Sequence, residues 1–186
     1  MSDKIRCSWC EKDDLYRNYH DNEWGKPVYD DATIFEFLIL ETFQAGLSWY
    51  TVLAKRENFR KAFDNFNVEK IANYSQKKLD ELAENSGIIR NKLKIKATVS
   101  NAQAFIKVQE EFGSFSKYIW GFVGGKPIDN KPATLSDVPA TTKLSDEISI
   151  DLKKKGFIFV GSTVVYAHMQ ATGMVNDHLL DCWTRK

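Results

Sequence analysis

Six side chains hold all the thiol and imidazole chemistry of this sequence: Cys7, Cys10, His20, His168, His178 and Cys182. Five of them lie near its ends, in "RCSWC", "YHDNEW" and "NDHLLDCW". His178 and Cys182 are four apart, so a helix there would present both on one face. A structural zinc site needs four soft or borderline ligands at the corners of a tetrahedron. Cys7, Cys10, His178 and Cys182 would make one such set; Cys7, His20, His178 and Cys182 would make another. Spacing does not choose between them, nor between a metal site and a plain reading of buried thiols with surface histidines. Either set would staple the two ends together, and its binding free energy would accrue to the folded state alone. His168, inside "VVYAHMQA", reads as a packed or partly exposed histidine of a helix.

A second concentration is aromatic. "WCEKDDLYRNYHDNEWG" places Trp9, Tyr16, Tyr19 and Trp24 within one short span. Asp13 or Asp14 can cap a helix on which Tyr16, Tyr19 and His20 share a face. Rings gathered this way are core in most proteins. They also form a slot for a planar base, above all a cationic one, through stacking and cation–π attraction of ~0.5–2 kcal/mol per good contact. Glu41 is the carboxylate out of place. It follows the apolar run "FEFLIL" and sits near the C-terminus of its expected helix, where the helix dipole opposes negative charge. A carboxylate set against both preferences is a functional candidate, unless it simply points to water. Glu36, in the same run, has no stronger claim.

The elements that would carry these groups read as helices almost throughout. "DDATIFEFLILETFQAG" opens on a capping Asp and stops at Ala45-Gly46. "SWYTVLAKRENFRKAF" follows, with Trp49, Val52, Leu53 and Phe59 near helical spacing. "NVEKIANY" and "SQKKLDELAEN" read as short helices, the second capped by Ser75. "NKLKIKATVSNAQAFIKVQEEFG" is long and amphipathic; "FSKYIWGFV", "TKLSDEISIDLKKKG" and "STVVYAHMQATG" complete the set. Alternating strand patterns are scarce, so the expected class is all-α. Most of the prolines fall in "GGKPIDNKPATLSDVPATT", which reads as a linker between a large N-terminal body and a short C-terminal segment.

Composition narrows the partners. A chain of 186 residues with 43% hydrophobic and 27% charged residues suits one globular domain. The net charge of +1 supplies no global basic field, so a nucleic acid would have to be held locally. Lys92, Lys94 and Lys96, and then Lys153, Lys154 and Lys155, are clusters of the kind that usually form solvated helix faces. "MSDKIRCSWC" has no apolar stretch like a signal peptide, and no segment suits a bilayer span. A cytoplasmic protein with no membrane partner is expected, with reduced thiols available for metal or burial. In "KKKGFIFVGSTVVYAH", Gly156 and Gly161 bracket a tight apolar turn before a helix that starts at Ser162 or Thr163. Unpaired backbone N–H groups at such a start can hold phosphate. A helix–hairpin–helix that grips the DNA backbone has this form, and needs little net charge because amides do much of the holding.

Together "YHDNEWG", "FEFLILETFQAGLSW", "VLAKRENFRKAF", "SGIIRNKLKIKATVSNA" and "KKKGFIFVGSTVVYAHMQATGMVNDH" resemble the 3-methyladenine DNA glycosylase I family of the helix–hairpin–helix DNA glycosylase superfamily. They cover nearly the whole chain in order. The resemblance implies an all-α, monofunctional base-excision repair enzyme, a monomer that hydrolyses the N-glycosidic bond of 3-methyladenine in alkylated double-stranded DNA and releases the free base. It implies one glycosylase unit over 1–186, with terminal segments 1–30 and 174–186 clasped by zinc. The helical body would be 31–173, with the helix–hairpin–helix near 144–173. One structural Zn2+ would fall on Cys7, His20, His178 and Cys182, leaving Cys10 as an extra thiol that could compete with Cys7. The catalytic candidates would be Glu41 and Tyr19, and the base-binding walls Trp9, Tyr16, Trp24 and Trp49. Leu47, in "QAGLSW", would fill the gap left by the extruded nucleotide, and the amides around Gly161, Ser162 and Thr163 would hold phosphate. Where many superfamily members carry a catalytic Asp, "VNDH" has Asn176; neighbouring Asp177 is expected to point elsewhere from a helix. Two other readings remain: a zinc-stapled nucleic-acid-binding module without catalysis, and a zinc hydrolase, which would need an open metal position.

Overall fold

The computed structural model describes residues 4–185. Ten α-helices form its body among the described residues. They are α1 (Asp14–Asn22), α2 (Asp31–Gln44), α3 (Trp49–Leu53), α4 (Arg56–Ala62), α5 (Val68–Ala72), α6 (Gln76–Glu84), α7 (Lys92–Phe112), α8 (Phe115–Gly121), α9 (Lys143–Lys154) and α10 (Ser162–Ala171). No helix among the described residues is long and apolar enough to cross a membrane.

Helix starts follow the local chemistry. Asp13, Asp30, Ser75, Asn91 and Thr142 each accept a backbone N–H of the first turn that would otherwise lack a partner. α2 lies at the centre because it is apolar on every side: Ile34, Phe35, Leu38, Ile39, Leu40 and Phe43 are all buried. α3, α7, α8 and α10 pack on it, α7 also carries α5, α6 and α8, and α9 packs on α10.

The single helix expected over 48–63 is two. The Lys55 amide bonds to the Val52 carbonyl, a tight closing turn, and α4 restarts with Arg56 and Phe59 facing inward. The all-α reading also needs one amendment. β1 (Ile128–Asp129) and β2 (Val175–Asn176) form a two-residue parallel pairing, too short to leave an alternating signature. The proline-rich 124–142 stretch is therefore no free linker. It pairs with the C-terminal segment, and Leu135 and Val138 reach the cavity described below. Residues 178–182, expected as a helix, are a turn in which the Cys182 amide bonds to the Leu179 carbonyl at 2.9 Å.

The two ends meet through backbone bonds: Gly25 N to Gln170 O, Val28 N to Thr172 O and Trp183 N to Ile5 O, each about 3 Å. Gly173 makes the closest approach. Its φ is +70°, and a Cβ there would overlap the Lys26 carbonyl and the Pro27 nitrogen. Gly173→Ala is expected to destabilise the fold by about 2–4 kcal/mol, left-handed strain and overlap acting together. Urea denaturation of the two proteins measures it, and an unchanged midpoint would refute the close approach.

Candidate active site

α1, α2, α3 and α10 enclose a cavity of about 200 Å³. Its lining includes Trp9, Tyr16, Tyr19, Trp24, Glu41 and Trp49, every aromatic and acidic residue singled out above for a base slot. The rings support one another edge to face. Trp9 meets Tyr16 at 4.9 Å and Trp24 at 5.0 Å between centroids, while Tyr19 tilts against Trp49 at 5.5 Å. Arg56 braces this wall from behind: it sits over the Phe37 ring and pairs with Glu23 and Glu36.

Glu41 does not point to water; it is 1% exposed. Its Oε2 accepts a hydrogen bond from His168 Nδ1 at 2.8 Å. Burial pushes the carboxyl up from the usual range, and His168 opposes that shift. Three buried side-chain atoms among the described residues have no hydrogen-bond partner: Glu41 Oε1, Trp49 Nε1 and His168 Nε2. The first two belong to the cavity wall. Unpaired polar atoms at such depth cost about 1–3 kcal/mol each, so a ligand that supplied a partner there would recover that cost. A larger hollow of about 540 Å³ beside Asp31 and Asp64 carries no such atom.

Sequence reasoning missed several wall residues. Gln44, Ala167, Gln170 and Ala171 are neighbours of recognised positions, but only the packing of α10 on α2 brings them together. Asp177 corrects an explicit expectation. It does not point away from a helix: it lies in the irregular stretch after β2 and lines the cavity. Its carboxylate accepts from Asn130 Nδ2 and Tyr166 Oη, each at 2.7 Å, and from Gln170 Nε2 at 2.8 Å. Burial and that carboxylate together push the Tyr166 phenol up. Asn176 is partly exposed, and its Oδ1 accepts from the His178 amide.

Behind the aromatic wall, Cys7, His20, His178 and Cys182 are all buried, with one donor atom from each lying within 4.8 Å of the others. Cys182 Sγ is 3.4 Å from His20 Nε2 and 3.6 Å from His178 Nδ1; Cys7 Sγ is 3.8 Å from His178 Nδ1. Cys10 stays outside, its thiol turned to the Cys7 carbonyl. The outer ring nitrogens are engaged: His20 Nδ1 bonds to Asp21 Oδ1 at 2.9 Å and His178 Nε2 to the Trp24 carbonyl at 3.0 Å. Two thiols and two imidazoles whose far nitrogens are already bonded form a cluster that could hold a metal ion. Trp24 packs on the His178 ring at 4.6 Å and Trp9 on the His20 ring at 5.3 Å, so the cluster backs the cavity wall directly.

The remaining candidates lie outside the cavity lining. Leu47 is 44% exposed in the turn after α2. Gly161 caps α10, Ser162 opens it with its Oγ bonded to Ser145 Oγ at 2.7 Å, and Thr163 is exposed. α9 and α10 form a helical hairpin whose turn is held by Asn101, which bonds both Ile158 N and Ile158 O, and by Ser149 on Val160 O. Lys94, expected on a solvated face, is buried. Its Nζ donates to the carbonyls of Phe43 and Ala45, closing the C-terminus of α2 beneath the Leu47 turn.

Residues 9–186 match the methyladenine glycosylase family, and the chain belongs to it; its members are hydrolases of N-glycosyl bonds. The curated relatives are more specific. The DNA-3-methyladenine glycosylase of Haemophilus influenzae is 47% identical over 177 residues, which cover 95% of this chain and 96% of that protein. DNA-3-methyladenine glycosylase 1 of Escherichia coli is 45% identical, with 95% of each covered. A solved structure addressing 3-methyladenine recognition by 3-methyladenine DNA glycosylase I of Staphylococcus aureus superposes with a TM-score of 0.94 at 38% identity, covering 97% of this chain and 96% of that one.

Lys94→Met is expected to lower stability by about 1–3 kcal/mol, because two C-terminal carbonyls of α2 lose their donor. Hydrogen exchange at residues 46–48 should accelerate in the variant; unchanged exchange there would show that Lys94 does not hold the turn.

Proposed function

We propose that this chain excises 3-methyladenine from alkylated double-stranded DNA, with the nucleotide flipped so that its base enters the cavity walled by Trp9, Tyr16, Tyr19, Trp24 and Trp49. The observation that carries the reading is the unpartnered Glu41 Oε1 inside an aromatic cavity. The exocyclic amine edge of the base donates to Glu41, and the rings stack on its faces. The base arrives cationic. Two carboxylates, Glu41 and Asp177, and electron-rich ring faces make the cavity favourable to positive charge. The N-glycosidic bond of such a base is already weak. Its electron pair moves to the departing base and neutralises it, positive charge develops on the sugar, and water adds there with loss of a proton. Preorganised negative charge and the DNA phosphates stabilise that centre. No Schiff base is needed, and Lys94, the one buried lysine among the described residues, is committed to backbone carbonyls.

Flipping costs a few kcal/mol, less for a damaged base. Leu47 fills the vacated space, and the amides of Gly161, Ser162 and Thr163 hold phosphate as a helix–hairpin–helix does. We read 1–186 as one monomeric, cytoplasmic glycosylase unit, with 31–173 as its body and the hairpin near 144–173. Zinc suits the Cys7, His20, His178 and Cys182 set. Zn–S near 2.3 Å and Zn–N near 2.0–2.1 Å imply sulfur-to-nitrogen edges of about 3.5–3.6 Å in a tetrahedron, against 3.4–3.8 Å for three such pairs here, with all four donors within 4.8 Å of one another. Bound there, zinc would close a four-ligand structural site joining segments 1–30 and 174–186, with no open position for hydrolytic chemistry.

Chromatography of bases released from methylated DNA tests the activity. Wild type should release 3-methyladenine, and Glu41→Gln should lower both release and affinity for the free base by roughly tenfold or more. DNA binding without released base would instead mark a non-catalytic binding module. Asp21→Ala should weaken zinc about 10–100-fold in competition with a chromophoric chelator; unaltered affinity would mean that Asp21 does not orient His20.

A further inference from the structure

His168 is absent from the cavity lining, yet it touches the group on which base recognition is proposed to turn. It projects from α10 onto Glu41 of α2, and it is 2% exposed. Its ring forms one hydrogen bond. Nδ1–H donates to Glu41 Oε2 at 2.8 Å, and Nε2 has no partner. A histidine kept for folding would be expected to satisfy both nitrogens. Here phenylalanine would fill the same space and leave no further group unpaired, apart from Glu41 itself.

We infer that His168 is a positioning residue for base recognition, holding Glu41 by Oε2 so that Oε1 is the acceptor presented to the base. This rests on the reading that Glu41 receives the base. The physical reason is the symmetry of a carboxylate. Free to turn about its last torsion, it presents either oxygen in a range of planes. A charge-assisted bond from a ring fixed in packed helices removes that freedom before the ligand arrives. Among the described residues no other side chain bonds to the Glu41 carboxylate. The remaining titratable and charged groups around it are Tyr19 from α1, Asp177 from the stretch after β2 and, beyond Tyr19, the Arg56–Glu23 pair.

The test is titration of free 3-methyladenine, followed by fluorescence of the wall tryptophans across pH. It compares wild type, His168→Phe, His168→Gln, Glu41→Gln and the His168→Phe/Glu41→Gln double variant. His168→Phe should fold as wild type does and bind the base roughly 10–100-fold more weakly near neutral pH. The acid limb of its profile should also move to higher pH, because burial raises the Glu41 pKa and His168 is what opposes it. Titration of the base itself is common to all the proteins and cancels in the comparison. His168→Gln, which keeps a donor, should recover part of the affinity. Replacing His168 should do nothing further once Glu41 is Gln. Wild-type affinity and profile in His168→Phe would overturn the inference, as would a loss equal at every pH. If Glu41→Gln binds normally, the reading of Glu41 fails instead; if it loses binding while His168→Phe does not, only the role of His168 fails. Should the variants not fold, long-range 1H–15N spectra of wild type decide the matter: a proton on Nε2 with none on Nδ1 would exclude donation from His168 to the Glu41 carboxylate and overturn the inference.

Discussion

The convergence of Cys7, His20, His178 and Cys182 is the constraint from which the cavity follows. His20 belongs to the same helix as Tyr16 and Tyr19, and the ring of His178 packs against Trp24. Pinning the two imidazoles therefore pins the aromatic wall. Burial pushes the Cys7 thiol up to about 12 and His178 down to about 4, both toward neutral groups. A cation among the four donors favours thiolate over thiol and is compatible with neutral imidazole. The Asp21 carboxylate and the Trp24 carbonyl already aim each ring's inner nitrogen at the centre.

Against that wall stands α2, which resolves a conflict between two demands. It must be apolar all round to serve as the central helix, and it must carry a carboxylate near its C-terminal end. The conflict is met locally. Lys94 covers the terminal carbonyls whose partial negative charge would oppose Glu41, and His168 bonds to one of the Glu41 oxygens. The site thus stores unfavourable polar burial in a scaffold whose remaining interior is well satisfied.

Much of this was legible in the residues. Asp30 and Ser75 announced their helices by capping, and the aromatic span with the displaced Glu41 marked the cavity. Helical spacing singles out His178 and Cys182 as candidate ligands, yet a turn brings the two together; four residues apart suits either geometry. What escaped was tertiary. His168 meets Glu41, 127 positions away, only because α10 crosses α2. Asp177 turns inward because a two-residue parallel pairing, with no periodicity to betray it, replaces the expected helix. Lys94 looked like one of three alternating surface lysines, and nothing local says that the middle one reaches the end of another helix.

The bond network at the ends also sets an order of assembly. Cys182 and His20 are separated by 162 positions, whereas α5 to α8 contact their near neighbours along the chain. Closing so long a loop costs entropy that no contact between near neighbours offsets, and it is rewarded only when both end segments are in place. The bundle around α7 can therefore condense early, while the ring-lined hollow is among the last features to mature. A chain caught midway would be largely helical by circular dichroism while the hollow was still unformed.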